Sequence, residues 1–268
     1  MPPRFYCSPL PDLAPEWSDA AGGELATGGG QGSRGGCVLG PEESRHARKV
    51  LRLGVGDAVE LFDGSGRIAE ATLTDVKVEQ VACRVHAVRR AEASGPWLAV
   101  ASAVPKGPRA VEMVNQLAQL GVDAWWPLAC DRSVVDPRRS GAQSVARYER
   151  AALAAAKQSG RATLLQVGGA RTLAEALAEP ADRRVLLHIE TADAGEGAGG
   201  DALEFTAAER VVLLVGPEGG WTDAEVDTAR SAGAVSWRIA EAVLRIETAA
   251  AAGAALARYL GRSRLEAS

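Results

Sequence analysis

The chain has 268 residues, 47% hydrophobic and 24% charged, with 30 Lys and Arg against 34 Asp and Glu for a formal charge of −4. That length and composition support a sizeable core divided between two domains. The balance does not advertise a polyanion binder, and no run approaches the roughly 18 consecutive apolar residues of a membrane span. Cys7, Cys37, Cys83 and Cys130 are far apart with no Cys-x-x-Cys pair, which argues against zinc or another metal and suits a reducing compartment. Met1–Phe5 lacks the apolar stretch of a secretory signal, so a cytoplasmic protein is expected.

Residues 1–90 read as a small β-barrel domain. Gly22–Gly36 is rich in Gly and Ser and reads as a flexible loop. Arg45, His46, Arg48, Lys49 and Arg52 face only Glu42 and Glu43 nearby, a pattern able to neutralise phosphates, although a solvated face is the commoner meaning of one charge run. Asp57–Gly66 is an alternating strand closed by a turn, and Arg67–Leu73 is its hairpin partner. Val76–Val88 supplies one or two further strands, and Ala91–Pro96 reads as a linker.

From Trp97 the rhythm changes to strands alternating with helices, which predicts an α/β domain over 91–268 with a mostly parallel sheet. Trp97–Val104 is a buried strand. Val111, Val114, Leu117 and Ala118 recur at helical spacing and Gly121 ends that helix. Ala124–Leu128 is the next strand. Between Arg132 and Arg161 stand seven basic residues against two acids. The pattern then predicts a helix over Tyr148–Gln158, a strand over Leu164–Val167, a helix over Leu173–Ala178 and a strand over Arg184–Ile189, before a loop at Gly195–Gly200. Val211–Val215 is unbroken β-branched and aliphatic, as in a strand buried on both faces. It ends in Gly216-Pro217-Glu218-Gly219-Gly220. Thr222 with Glu225 fits a capping box for a helix reaching Ala232. Ligands of open α/β sheets sit beyond such strand ends, where glycines admit them to bare main chain; an ordinary glycine-rich turn is the plainer reading. A strand over Val235–Ile239 and an Ala-rich helix over Thr248–Tyr259 close the chain.

Immediately before that helix stands Val243-Leu244-Arg245-Ile246-Glu247-Thr248-Ala249. Together with Gly216–Gly220, about one helix and one strand earlier, it resembles the RsmE-type ribosomal RNA uridine-N3 methyltransferases of the knotted SPOUT superfamily. His46–Leu53, Arg132–Val135 and Ala156–Arg161 match the same family in the same order, so the resemblance runs over nearly the whole chain. The Lys and Thr-Glu usual on the first helix of the family's second domain stand here as Gln116 and Ala118-Gln119. Ala240 replaces a frequent Gly and Ile246 a frequent Thr.

The resemblance implies an α/β, trefoil-knotted, mostly parallel sheet behind a PUA-like β-barrel. It implies S-adenosylmethionine as methyl donor, a uridine N3 of 16S ribosomal RNA in the small subunit as acceptor, and a two-fold homodimer with the last helix at the interface. The donor-binding loops carry over as His188, Ile189 and Glu190; Gly216, Pro217, Glu218, Gly219 and Gly220; and Ile239, Ala240, Val243 and Leu244. RNA contacts fall on Arg48, Lys49 and Arg52 of the barrel and on Lys106, Arg132, Lys157 and Arg161. Uridine N3 is a poor nucleophile until its proton leaves, so a base or a stabiliser of the developing negative charge is required. Arg245, a permanently charged fork, is the candidate stabiliser. Glu247 either orients Arg245 or takes the proton, and a structural ion pair between the two is the bland alternative. Glu218 either caps the following helix or faces the ligand. Competing readings are another SPOUT methyltransferase and an RNA-binding protein without catalysis, for which keeping both motifs has no reason.

Overall fold

The structure, a computed structural model, describes residues 2–12, 35–78, 80–92, 95–139, 141–189 and 205–262. Most of the glycine-rich stretch after Gly22, the loop at 195–200 and Glu190 lie outside the described residues. The chain forms two compact units, Met1–Glu92 with Gly160–Thr163, and Ala93–Ser159 with Leu164–Ser268.

The first unit contains β1 (Arg4–Tyr6), β2 (Gly36–Val38), α1 (Pro41–Arg45), β3 (Ala58–Phe62), β4 (Arg67–Val76) and β5 (Val81–Arg90). Its sheet runs β1-β3-β4-β5-β2, with β1 parallel to β3 and the other neighbours antiparallel. The β3–β4 hairpin forms where alternation predicts it, in register from Ala58↔Thr72 to Phe62↔Ile68. The Asp63 carboxylate tightens its turn by accepting from the Ser65 N–H and hydroxyl. Phe5, Val59, Leu61, Leu73, Val81 and Val85 fill the core. One helical segment escapes the sequence reading: α1 continues into a π-helical turn over His46–Val50. Its dense charge hides any apolar period, and it is anchored by buried Ala47 and by one hydroxyl. Ser44 Oγ donates to Leu39 O at 3.0 Å and accepts from Val81 N at 3.1 Å.

Three cysteines that are remote in sequence meet in this unit. Cys37 faces Cys83 across β2 and β5, and hydrogen bonding to Cys7 and Cys83 together with burial pushes its thiol pKa up. All four cysteines are free thiols. Among the described residues no group of three or more His, Cys, Asp or Glu could hold a metal ion.

The second unit comprises β6 (Trp97–Ser102), α2 (Arg109–Gln119), β7 (Ala124–Ala129), α3 (Ala142–Ser159), β8 (Gln166–Val167), β9 (Arg171–Thr172), α4 (Leu173–Leu177), β10 (Arg183–Leu187), β11 (Arg210–Val215), α5 (Asp223–Ser231), β12 (Val235–Trp237) and α6 (Ile246–Arg262). The sheet order is β12-β10-β11-β6-β7-β8, β9 also pairing with β7, and every neighbour is parallel. Strands covered on both faces need no polar alternation, and Val211–Val215 are all buried. On α2 the buried Ala110, Met113, Val114, Leu117 and Ala118 make one apolar stripe. That helix packs against α3 and α6, and α6 also meets β6 and β11. Buried Arg258 ties α6 down by donating to Pro96 O at 2.6 Å and to the Asp123 carboxylate at 2.8 Å. No described helix is long and apolar enough to cross a membrane.

Three helices start earlier than the sequence suggests, α2 at Arg109 rather than Val111 among them. α3 begins at Ala142 rather than Tyr148 because none of residues 142–147 is buried, so that stretch carries no apolar signal. α6 begins at Ile246 rather than Thr248, Ala249 N–H closing onto Arg245 O at 2.9 Å. The capping box of α5 forms as read: Thr222 Oγ1 accepts from Glu225 N at 3.2 Å, and Glu225 Oε2 accepts from Thr222 N at 2.8 Å. Thr222→Ala should therefore lower stability by about 1 kcal/mol. Urea unfolding measures it, and an unchanged midpoint would show the cap to be idle.

Candidate active site

Three parallel strands end side by side, and their C-terminal loops meet. Leu187 ends β10 and leads to His188 and Ile189; Val215 ends β11 and leads to Gly216–Gly220; Trp237 ends β12 and leads to Ile239–Leu244. The loops enclose a cavity of about 450 Å³. It is lined by His188, Ile189, Gly216, Pro217, Glu218, Gly219, Gly220, Ile239, Ala240, Val243 and Leu244, and also by Arg132, Leu187, Trp221 and Trp237. Stretches separated by some fifty residues of sequence are thus one wall. Apolar side chains and exposed main chain dominate it, the usual make-up of a small-molecule site with few placed polar groups.

Trp221, which the sequence reading passes over, organises this wall. It is buried, and its indole N–H donates to Leu187 O at 3.1 Å, clamping the end of β10 to the loop after β11. The indole lies flat enough against Gly216 that a Cβ there would come within 2.8 Å of Trp221 Cε2. Only glycine fits. Gly220 is required differently, its φ of +72° lying in the left-handed region. Arg132, read from sequence as an RNA contact, lines the cavity and braces the loop by donating to Gly219 O at 3.1 Å and Trp221 O at 3.0 Å.

Glu218 does not cap α5, since Thr222 and Glu225 do. Its carboxylate instead approaches Arg109 Nη1 at 3.7 Å, and the same nitrogen donates to Glu247 Oε1 at 3.3 Å. Arg109, the first residue of α2, therefore bridges the glycine loop and the first turn of α6. Its partner lies 138 residues away, so no local pattern in the sequence could reveal it. Glu247 does not pair with Arg245. Its Oε2 is buried with no hydrogen-bond partner among the described residues. Arg245 is exposed and sits between the cavity-lining Leu244 and the buried Ile246, and its side chain makes no hydrogen bond or ion pair among the described residues.

The remaining basic residues fall on both units. In the first unit, Arg48 is half-buried and Lys49 and Arg52 are exposed along or just after the π-helical turn. Arg52 has φ +55°, the left-handed conformation that ends the turn, at a cost that glycine would not incur. Arg161 donates to Thr163 Oγ1 at 2.8 Å. In the second unit, Lys106 is exposed after β6 and Lys157 is half-buried on α3. A larger depression of about 590 Å³ lies between the end of β7 and the starts of α4 and α5. It is the weaker site: Glu225 there is spent on Asp131 N and the α5 cap, Asp136 on Arg138, and Cys130 is buried with its thiol pushed up to about 12, chiefly by desolvation.

The family described as an RNA methyltransferase domain matches residues 93–258, and that described as an RNA methyltransferase PUA domain matches residues 39–85. Ribosomal RNA small subunit methyltransferase E of Mycobacterium bovis is 30% identical over 227 residues, 80% of this chain and 83% of its own. The protein of the same name from Synechocystis sp. is 29% identical over 205 residues, 76% of this chain and 66% of its own. The crystal structure of ribosomal RNA small subunit methyltransferase E from Neisseria gonorrhoeae bound to S-adenosyl methionine matches with a TM-score of 0.73 at 27% identity, covering 97% of this chain and 98% of that one. With a second unit matched almost end to end and relatives aligned over most of both units, this chain belongs to the family of RNA methyltransferases that includes ribosomal RNA small subunit methyltransferase E.

Proposed function

We propose that the protein methylates N3 of a uridine in 16S ribosomal RNA of the small subunit, using S-adenosylmethionine. The observation that carries this reading is the joining of the two motifs: the Trp221-walled glycine loop and Leu244 line one cavity, and the next residue, Arg245, carries an uncommitted guanidinium. The cavity fits the donor. Its volume suits a ligand of that size, and Gly216, Gly219 and Gly220 line it without side chains. When bound, the donor supplies an activated methyl group, and holding two partners in line provides much of the acceleration.

The chain's own residues do the rest. Main-chain groups of 188–189, 216–220 and 239–244 bind and orient the donor, while Leu187, Trp221, Val243 and Leu244 exclude water. Arg245 donates to a uracil carbonyl oxygen as negative charge spreads from N3. Glu247 orients a guanidinium, and the pairing distance makes it that of Arg109 rather than of Arg245. Arg48, Lys49 and Arg52 contact phosphates, and a target base leaves its stack to reach the methyl group. A two-fold homodimer joined through α6 agrees with the exposure of Leu256 and Tyr259 on that helix, and a knotted passage of the chain through the loops around the cavity agrees with β11 inserting between β6 and β10.

Incubating the protein with small subunits lacking the modification and mapping the RNA by mass spectrometry should reveal a new 3-methyluridine; no modified uridine would overturn the reading. Joint charge reversal of Arg48 and Arg52 should weaken RNA binding and reduce the salt slope by roughly 0.7–0.9 per lost phosphate contact. An unchanged slope would place the RNA surface elsewhere.

A further inference from the structure

A second, smaller cleft of about 170 Å³ adjoins the donor cavity at Pro217 and Glu218. Ala103, Val104, Val134, Pro217 and Ile246 give it apolar walls, and Lys106, Arg109 and Glu218 are its charged members. The two cavities share Pro217 and Glu218 and no other residue. We propose that this cleft receives the acceptor uracil, with Arg109 and Glu218 reading its N3 edge. The proposal rests on the uridine methyltransferase reading above and adds where the base sits and what selects it.

Size and chemistry both support this. Sites for drug-sized ligands run to about 300–1,000 Å³; a cleft below that range suits a single ring, not a whole nucleotide. Apolar walls accept the faces of a flat heterocycle. The N3 edge of uracil presents carbonyl, N–H, carbonyl. Its complement is a donor beside an acceptor, and Arg109 Nη1 stands 3.7 Å from Glu218 Oε1. Arg109 keeps its orientation because Glu247 holds the same nitrogen from the buried side, leaving the rest of its five-donor fork for a carbonyl oxygen. Cytosine has no proton at N3 and an amino group where uracil has O4, so it would leave both the guanidinium and the carboxylate mispaired. Sites built on such hydrogen bonds reject the wrong partner strongly.

The proton balance follows from the same placement. The N3 proton passes to the Glu218 carboxylate, the electron pair stays on N3, and Glu218 borders the donor cavity as well as the cleft. The anionic base therefore forms at the boundary with the methyl source. In this reading Glu218 is a catalytic residue and Glu247 a positioning residue that acts through Arg109.

Three variants test the proposal: Arg109→Ala, Arg109→Lys, and Val134→Trp, which fills the cleft from an exposed position without disturbing the core. Three quantities are read for each: donor affinity by calorimetry, kcat/KM on small subunits, and the affinity of a short single-stranded RNA bearing uridine or cytidine at one position. The expected result is unchanged donor affinity, kcat/KM lower by ~10²-fold or more, and loss of the preference for uridine. Arg109→Lys preserves a charge for Glu247 but not the planar fork, so it should not rescue the preference; full rescue would reduce Arg109 to a structural ion pair and overturn its role. Val134→Trp with wild-type transfer would overturn the cleft. Equal loss of donor affinity and transfer in all three would assign these residues to the donor site instead. Wild-type protein that methylates no uridine would overturn the underlying function, an outcome distinct from normal methylation by all three variants.

Discussion

Gly216→Val should lower S-adenosylmethionine affinity by ~10²-fold or more while leaving a folded protein. The added atoms meet a rigid ring held in place, not a flexible side chain. A Cβ at Gly216 would lie 2.8 Å from Trp221 Cε2 and 3.0 Å from its Nε1, so either the indole or the loop must move. Moving the indole breaks its bond to Leu187 O and frees the end of β10 from the wall. Overpacking costs about 1–3 kcal/mol and loss of a buried hydrogen bond about 1 kcal/mol. At about 1.4 kcal/mol per tenfold, a total near 3 kcal/mol corresponds to the stated loss if the bound state alone requires the native wall. Calorimetric titration with the donor measures it. Donor binding by Gly216→Val equal to that of the wild type would remove this cavity as the donor site.

Arg245→Ala should behave in the opposite way. Exposed and without an internal partner among the described residues, its side chain can be truncated with a stability change within about 0.5 kcal/mol. It does not line the donor cavity, so donor affinity should hold. If its guanidinium meets charge that develops only as N3 is methylated, kcat should fall ~10²–10³-fold, the usual effect of deleting one such donor. Single-turnover rates on small subunits, set beside donor titrations, separate the two quantities. Equal losses in both would make Arg245 a donor-binding residue. Glu247→Gln is the informative companion: it weakens the hold on Arg109 without touching Arg245, so its effect should be additive with Arg245→Ala if the two act separately.

Much of this architecture is written in short stretches of sequence. The run Val211–Val215 predicts a doubly covered strand, and the parallel sheet has it. Thr222 and Glu225 are three residues apart, so their reciprocal caps depend on nothing distant. The β3–β4 hairpin is set by alternation and a local turn. Where the signal is absent, the reading fails in a physically consistent direction. The first turn and a half of α3 buries nothing and the segment 41–50 is crowded with charge, so neither shows an apolar period.

The sequence by itself determined the alternation of strands and helices, the helix caps and the two motifs, because each depends on neighbours within a few residues along the chain. Only the tertiary structure decided what those motifs face. It put Trp221 against Gly216 and under Leu187, turned Arg132 onto the glycine loop, and paired Glu247 with Arg109 rather than with Arg245. These contacts join segments from 34 to 138 residues apart in all but the first case. They exist because parallel strands, each requiring a crossover before the next, bring the ends of β6, β7, β10, β11 and β12 to one edge. Side-chain partnership at that edge is a property of strand order, and strand order has no local imprint in the chain.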